Sequence, residues 1–117
     1  MATSVLIVDD HPSFRASARA LLEAEGYEIV GEAENGVQGL SKARELHPDV
    51  VLLDVQLPDF DGFEVASRLT KDTDAPKVVL ISSRDGSDFG HLVRDSGALG
   101  FIPKAELCGD TLATLLR

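Results

Sequence analysis

The sequence has 117 residues, of which 44% are hydrophobic, and it carries a formal net charge of −9. Compact domains typically contain about 100–150 residues, so length and composition predict one folded domain and exclude a disordered chain. Because nucleic-acid binders usually present a basic face, we expect no direct nucleic-acid binding by this segment. The acidic balance fits a bound cation or a basic partner, and it fits equally well a role in solubility alone.

Cysteine content and hydropathy bear on the compartment of the protein. Cys108 is the only cysteine, which excludes an internal disulfide and a four-thiolate metal site. A signal peptide has a basic segment ahead of an apolar run, and this N-terminus has none. No apolar run approaches the roughly twenty residues of a transmembrane helix. We therefore expect a soluble, cytoplasmic protein that makes no membrane contact.

The first half of the sequence alternates short runs rich in β-branched residues with segments of helical period. Gly26 and Pro48 follow two of the helical segments and are typical helix stops. In chain order the pattern predicts a strand over 4–9, a helix over 12–25, a strand over 27–33, a helix over 37–46 and a strand over 50–54.

The second half of the sequence continues the same alternation. It predicts a helix over 63–71, a strand over 77–82, a helix over 88–96, a strand over 98–102 and a helix over 106–116. Strict β-α alternation indicates an α/β fold with a doubly wound parallel sheet and helices on both faces. Five strands at this length favour the flavodoxin-like order 2-1-3-4-5, in which ligands bind at the carboxyl ends of the strands.

Polar residues stand where the predicted strands end. They are Asp9 and Asp10 after the first strand, Asp54 in the third, Ser82 in the fourth and Lys104 after the fifth. The carboxyl ends of parallel strands share one edge of the sheet, so we expect these side chains to converge. Carboxylates held close together repel one another and raise their own pKa values. A divalent cation such as Mg²⁺, which prefers oxygen ligands, would remove that penalty.

Each of these residues also has an ordinary structural explanation. Aspartates after a strand are often N-caps of the next helix, which applies to Asp9 and Asp10. A serine at a strand end often bonds to the backbone, and a lysine is often solvated, so Ser82 and Lys104 are weak signals singly. Asp54 is harder to explain this way, because the next predicted helix begins several residues later. The joint pattern therefore carries the prediction.

Four segments, VLIVDDHPSFR, DVVLLDVQLPDFDGFE, VVLIS and GALGFIPK, resemble the receiver domain of bacterial two-component response regulators. They occur in the family's order and spacing and span positions 5 to 104. The DDHPSFR and GFIPKAEL strings are closest to the subfamily whose second domain is a helix-turn-helix DNA-binding module. The resemblance implies one receiver domain over 1–117, with any output domain outside this chain.

The resemblance also implies roles for residues around the third strand. Asp54 would be the phosphoacceptor, taking a phosphoryl group from a sensor histidine kinase or a small phosphodonor. Asp9 and Asp10 would organise Mg²⁺, together with Asp54 itself and the backbone carbonyl of Gln56. Gln56 and Arg84 occupy the variable positions that bear on the rate of dephosphorylation.

Further roles are implied for the fourth and fifth strands. Ser82 and Lys104 would contact the phosphoryl oxygens, and the rotamer of Phe101 would report the state of the switch. The expected surface for an output domain or a dimer is built from the fourth helix, fifth strand and fifth helix. Its expected apolar residues are Leu92, Val93 and Leu112, each of which fits the core of a short helix equally well.

Three functions are compared. The favoured one is a phosphorylation-controlled module with transcriptional output, not an enzyme but able to assist its own phosphorylation and dephosphorylation. A haloacid-dehalogenase-like phosphohydrolase also uses a strand-end aspartate and Mg²⁺. It usually has a second acid two residues later, where this sequence has Gln56, and it needs a larger body. The third is a receiver-like scaffold that no longer accepts phosphate, although all the key residues are present.

Overall fold

The computed structural model describes residues 2–71, 74–83 and 89–116 of the chain. Five parallel strands form a single sheet in the order β2-β1-β3-β4-β5, which confirms the predicted fold class. The elements are β1 (Ser4–Val8), α1 (Pro12–Ala24), β2 (Glu28–Ala33), α2 (Gly36–Leu46), β3 (Val50–Asp54), α3 (Gly62–Leu69), β4 (Lys77–Ser82), α4 (His91–Asp95), β5 (Gly100–Pro103), a 3₁₀ turn (Lys104–Glu106) and α5 (Gly109–Leu116). Within the described ranges, no helix has the length and apolar character needed to cross a bilayer.

The helices cover both faces of the sheet and divide the core into two clusters. On one face, Leu22 of α1 and Leu112 of α5 pack against the strands. On the other face, Val65 of α3 packs with residues of α2 and with side chains near α4. Successive residues of β3 alternate between the clusters, with Leu52 in the first and Leu53 in the second, and both are fully buried. This two-sided burial explains why the central strands are apolar throughout.

The predicted strands 50–54 and 77–82 coincide with β3 and β4, and most other ends differ by one or two residues. The predicted helix over 88–96 is observed as His91–Asp95, and residue 88 lies outside the described residues. The last helix begins three residues late, at Gly109 instead of residue 106. The 3₁₀ turn ends first, and the Cys108 amide then donates a 3.1 Å hydrogen bond to the Thr111 hydroxyl.

The loop between β3 and α3 is held by short contacts at two points, Gly62 and Asp59. Gly62 packs against the end of β3 so closely that an added Cβ would lie 2.3 Å from the backbone oxygen of Asp54. Further back in the loop, the Asp59 carboxylate accepts hydrogen bonds from the amides of Gly36 (2.7 Å) and Val37 (3.0 Å) at the start of α2. These contacts fix the segment that follows the carboxyl end of β3.

Candidate functional site

The acidic residues predicted to converge do meet at the carboxyl edge of the sheet. Asp9 follows β1 and Asp54 ends β3, and these strands are neighbours, so both carboxylates are buried, at 0% and 3% exposed. Asp10 is exposed at the rim of the same site. Asp9, Asp10, His11 and Asp54 each place one possible ligand atom within 4.8 Å of the others. The cluster is therefore suited to a metal ion.

Lys104 extends from the 3₁₀ turn after β5 into the same site. Its Nζ lies 2.6 Å from Oδ2 of Asp9 and donates a 3.1 Å hydrogen bond to Oδ2 of Asp54. The ammonium is also 4.5 Å from the ring centroid of Phe14 on α1, and only 14% of the lysine side chain is exposed. The alternative of a solvated lysine is wrong. One cation is enclosed between two carboxylates and an aromatic face.

The other carboxylate oxygens have partners in the turns that follow the strands. Oδ1 of Asp9 accepts a 2.8 Å hydrogen bond from the His11 amide, and the His11 Nδ1 lies 3.1 Å from it. The same Nδ1 lies 3.2 Å from Oδ1 of Asp10. Oδ1 of Asp54 accepts a 3.0 Å hydrogen bond from the Gln56 amide. The N-cap of α1 is His11, so neither Asp9 nor Asp10 is the helix cap that the alternative explanation required.

The charges of the site are unevenly compensated. Burial raises the pKa of Asp54, and the nearby Asp9 carboxylate adds to this rise, while the Gln56 amide and Lys104 lower the pKa only in part. Burial lowers the pKa of Lys104, but its contacts with Asp9 and Asp54 raise it more, so the pKa is above its ordinary value and the ammonium stays charged. The two buried carboxylates of Asp9 and Asp54 therefore share the Lys104 cation, with the exposed Asp10 carboxylate at the rim.

The donor set fits Mg²⁺. Oδ2 of Asp9 is buried and, apart from the ion pair with Lys104, has no hydrogen-bond partner among the described residues. Buried carboxylate oxygens next to an exposed carboxylate are hard ligands that leave room for water, as Mg²⁺ requires. The residues able to hold such an ion are Asp9, Asp10 and Asp54.

Ser82 and Phe101 lie on the two strands that follow β3 in the sheet. Ser82 ends β4 and is 1% exposed, and the residue before it pairs with Asp54 across the sheet. Phe101 on β5 is partly buried, and its ring centroid is 5.4 Å from that of Phe89. The Phe89 ring is in turn 5.4 Å from the ring of Phe63 on α3. A continuous row of three aromatic rings thus connects β5 to α3.

Some predicted positions differ from expectation or lie outside the described residues. Leu112 is fully buried in the core, so of its two expected roles the output surface does not hold. Helix α4 lies on the opposite face of the sheet, where Leu92 is 42% exposed and Val93 packs against the core. The side chain of Gln56 is exposed, and Arg84 lies outside the described residues.

Two residues of the first turn of α1 contact the site and were not predicted to do so. The Phe14 ring faces the Lys104 ammonium at 4.5 Å. Arg15 Nη1 donates a 2.6 Å hydrogen bond to the backbone oxygen of Asp9, and its Nε donates one of 3.1 Å to Glu32. The sequence did offer one signal for these contacts, since both residues lie within about one helical turn of Asp9 and Asp10.

Comparison with curated proteins identifies relatives over most of the chain. The chain is 42% identical over 106 residues to the virulence factors putative positive transcription regulator BvgA of Bordetella pertussis, covering 91% of this chain and 51% of that protein. It is 39% identical over 101 residues to response regulator GacA of Pseudomonas viridiflava, covering 86% of this chain and 47% of that one. The chain thus spans about half the length of these curated relatives.

Solved structures share the fold. A two-component response regulator of the LuxR family from Aurantimonas sp. superposes with a TM-score of 0.87 at 30% identity, covering 99% of this chain and 86% of that one. The signal receiver domain of the putative response regulator NarL from Mycobacterium tuberculosis gives 0.85 at 32% identity, covering 98% and 97%. The sequence profile of the response regulator receiver domain matches residues 5–115. The chain belongs to the response regulator receiver domain family.

Proposed function

We propose that this domain is a signalling switch in which Asp54 accepts a phosphoryl group in the presence of Mg²⁺. The donor would be a sensor histidine kinase or a small phosphodonor. The observation that carries the proposal is the placement of Asp54: a buried carboxylate at a strand end, 3.1 Å from a lysine ammonium and clustered with Asp9 and Asp10. Because the negative charge of this carboxylate is offset only in part, it is suited to react next to a bound Mg²⁺ ion.

The chemistry asks for a positioned nucleophile and for neutralised charge on the transferred oxygens. Bound Mg²⁺, held by Asp9, Asp10, Asp54 and the backbone carbonyl of Gln56, would supply part of that neutralisation. An Asp54 oxygen forms the new bond to phosphorus as the bond from phosphorus to the donor breaks, which gives an acyl phosphate. The Gln56 amide holds one carboxylate oxygen in place. Lys104 moves from the carboxylates to the phosphoryl oxygens.

Ser82 would donate its hydroxyl proton to a phosphoryl oxygen. It ends the strand next to β3 and lies at the same edge as Asp54. By holding the transferred group and its surroundings, the domain assists its own phosphorylation and dephosphorylation without being an enzyme that turns over an external substrate. A phosphohydrolase is disfavoured because Gln56 stands where that class has its second acid.

The output would pass through the aromatic row of Phe101, Phe89 and Phe63. Phosphorylation adds about two negative charges inside the site, where no partner reads them directly. Movement of Ser82 toward the phosphoryl group would change the space next to β5, and the Phe101 ring would follow. The responding surface consists of α4, β5 and α5, with Leu92 and Leu99 as its exposed apolar side chains, at 42% and 47%.

That surface would serve a dimer or dock an output domain outside this chain. Because relatives such as BvgA and GacA are named as a transcription regulator and a response regulator, we propose a transcriptional output and a cytoplasmic location. The domain itself would make no contact with nucleic acid or membrane, in keeping with its net charge of −9.

The test is labelling with acetyl phosphate, followed by intact mass and by acidic gels that preserve acyl phosphates. The wild-type protein should gain one phosphoryl group with Mg²⁺ and none with EDTA. Asp54→Asn should not be labelled, and Asp10→Ala should need more Mg²⁺. Asp95→Asn, which changes an exposed carboxylate on α4, is the matched control and should label normally. Undiminished labelling of Asp54→Asn would refute the site, and an unlabelled wild-type protein would favour the scaffold alternative.

A further inference from the structure

We propose that Arg15 is a positioning residue that holds the backbone of Asp9, and through it the acidic pair, in the geometry that receives the cation. This inference rests on the proposed function, since it assumes that the cluster of Asp9, Asp10 and Asp54 binds Mg²⁺. Arg15 contacts neither the ion nor the phosphoryl group. Its role is to fix the direction in which the two neighbouring carboxylates point.

The Arg15 guanidinium bridges two groups that no other described side chain joins. Nη1 donates to the backbone oxygen of Asp9 at 2.6 Å, and Nε donates to Oε1 of Glu32 at 3.1 Å. Only 15% of the arginine side chain is exposed. A planar fork can make both bonds at once, whereas the compact ammonium of a lysine at the same position is unlike it in shape and reach.

Glu32, the other partner of Arg15, is itself firmly anchored. It lies near the end of β2, and its second oxygen accepts a 2.7 Å hydrogen bond from Nε of Arg19. These bonds from Arg19 and then Arg15 outweigh the effect of burial and lower the pKa of the Glu32 carboxyl, so it is charged at neutral pH. Arg15 therefore contacts a side chain of β2 that a second arginine also holds.

The backbone of Asp9 is consequently tied to β2 on both sides. Its amide donates directly to the backbone oxygen of Ala33 at 2.9 Å, and its carbonyl is held through Arg15 and Glu32. Fixing both peptide planes around Asp9 fixes its Cα–Cβ direction, and the second plane also sets the course of the chain into Asp10. The directions of both carboxylates follow from the backbone.

This restraint on the Asp9 backbone is needed because the acidic groups repel one another. Ligand oxygens of Asp9, Asp10 and Asp54 lie within 4.8 Å, and Lys104 is the cation placed between two of them. Without an opposing restraint, the turn between β1 and α1 would relax by moving the carboxylates apart. Groups that orient metal ligands from behind typically change metal affinity by about 10–100-fold when they are removed.

The experiment is a Mg²⁺ titration of the full chain followed by backbone amide NMR shifts, with labelling by acetyl phosphate measured in parallel. Arg15→Lys keeps the positive charge but loses the planar guanidinium group that makes two bonds at once. We expect its Kd for Mg²⁺ to rise about tenfold. Arg44→Lys is the matched control, because it makes the same change at an exposed arginine of α2 that takes no part in the contacts of Arg15 and Glu32. Its Kd should stay within about twofold of the wild-type value. The Mg²⁺ concentration that gives half-maximal labelling should rise in Arg15→Lys in step with its Kd and stay unchanged in Arg44→Lys.

An unchanged Kd in Arg15→Lys would overturn the proposal, as would an equal loss in Arg44→Lys, which would show that the effect is not specific to Arg15. Thermal melts in EDTA establish that the variants are folded. If Arg15→Lys does not fold, Glu32→Gln decides by the same measurement, with an expected rise in Kd of at least about threefold. Should the wild-type protein bind Mg²⁺ without being labelled at Asp54, the proposed function fails, while the Kd comparison still decides the role of Arg15.

Discussion

The Lys104 ammonium donates a 3.1 Å hydrogen bond to Oδ2 of Asp54, yet the pKa of Asp54 is still raised. Burial is the largest cause, and the carboxylate of Asp9 adds to it. Lysine thus offsets only part of the cost of ionising Asp54 in the folded state. The ionised Asp54 carboxylate therefore lowers the stability of the folded state.

Stability should respond to pH through Asp54. Because its folded pKa lies above that of an ordinary aspartate, the native state binds more protons in that window, and stability falls as pH rises through it. Asp54→Asn removes this loss, so the variant should be more stable than the wild-type protein at pH 7. Urea unfolding in EDTA at pH 4 and pH 7 measures both effects. A variant no more stable than wild type at pH 7 would contradict the prediction, and Asp95→Asn serves as control.

Removing Lys104 should have the opposite effect. Lys104→Met leaves Asp9 and Asp54 buried without their cation, which should destabilise the metal-free protein by about 3 kcal/mol. Mg²⁺ should recover part of this loss, since a ligand that binds only the folded state stabilises it. Calorimetry in EDTA measures the loss of stability, and calorimetry in Mg²⁺ measures its recovery. The control is Lys71→Met, which changes an exposed lysine. Equal melting temperatures of the two variants in EDTA would count against the role of Lys104.

Gly62→Ala should damage both the fold and the site. The new Cβ would lie 2.3 Å from the Asp54 backbone oxygen and 2.5 Å from Cα of Val55, and neither backbone atom can rotate away. We expect a loss of about 2–3 kcal/mol in urea unfolding and slower labelling of Asp54. Gly26→Ala is the comparison: Gly26 has a φ of 96° but open space around it, so its loss should be about 1 kcal/mol, with labelling unaffected. Similar labelling rates in both variants would refute the argument.

The aromatic row should carry the activated state away from the site. With Mg²⁺ and a beryllofluoride mimic of the phosphoryl group, we expect the side-chain NMR signals of Phe101, Phe89 and Phe63 to shift together. Tyr27, which packs on the opposite face of the sheet, should stay unchanged. Phe89→Leu should leave the shift of Phe101 and reduce that of Phe63. Shifts confined to residues around Asp54 would show that the route through Phe101 is wrong.

The sequence predicted the sheet and its acidic edge because the signals for both are local. β3 and β4 are apolar runs of strand length, and Asp54 interrupts such a run where no helix cap is needed. The contacts of Phe14 and Arg15 were not predictable in this way. They depend on the rotation of α1 over the sheet and on the pairing of β1 with β2, whose register shifts between Val5 and Leu6.

Leu112 shows a different limit of sequence reasoning. An apolar residue on a short helix fits a core and an interface equally well, and only the packing of α5 against the sheet decides between them. The structure places Leu112 fully in the core and leaves Leu92 exposed. The prediction of an apolar output surface therefore rests on α4 and on Leu99, which precedes β5.

The burial of β3 on both faces sets a hierarchy of hydrogen exchange within the site. Every residue of β3 is buried between two paired strands, so we expect its amides to exchange only when the whole domain unfolds. His11, by contrast, is exposed, and Lys104 lies in a short 3₁₀ helix, where openings of a few residues suffice. Asp54 should therefore exchange slowly, whereas the movement proposed for Lys104 would take place in a segment that exchanges faster.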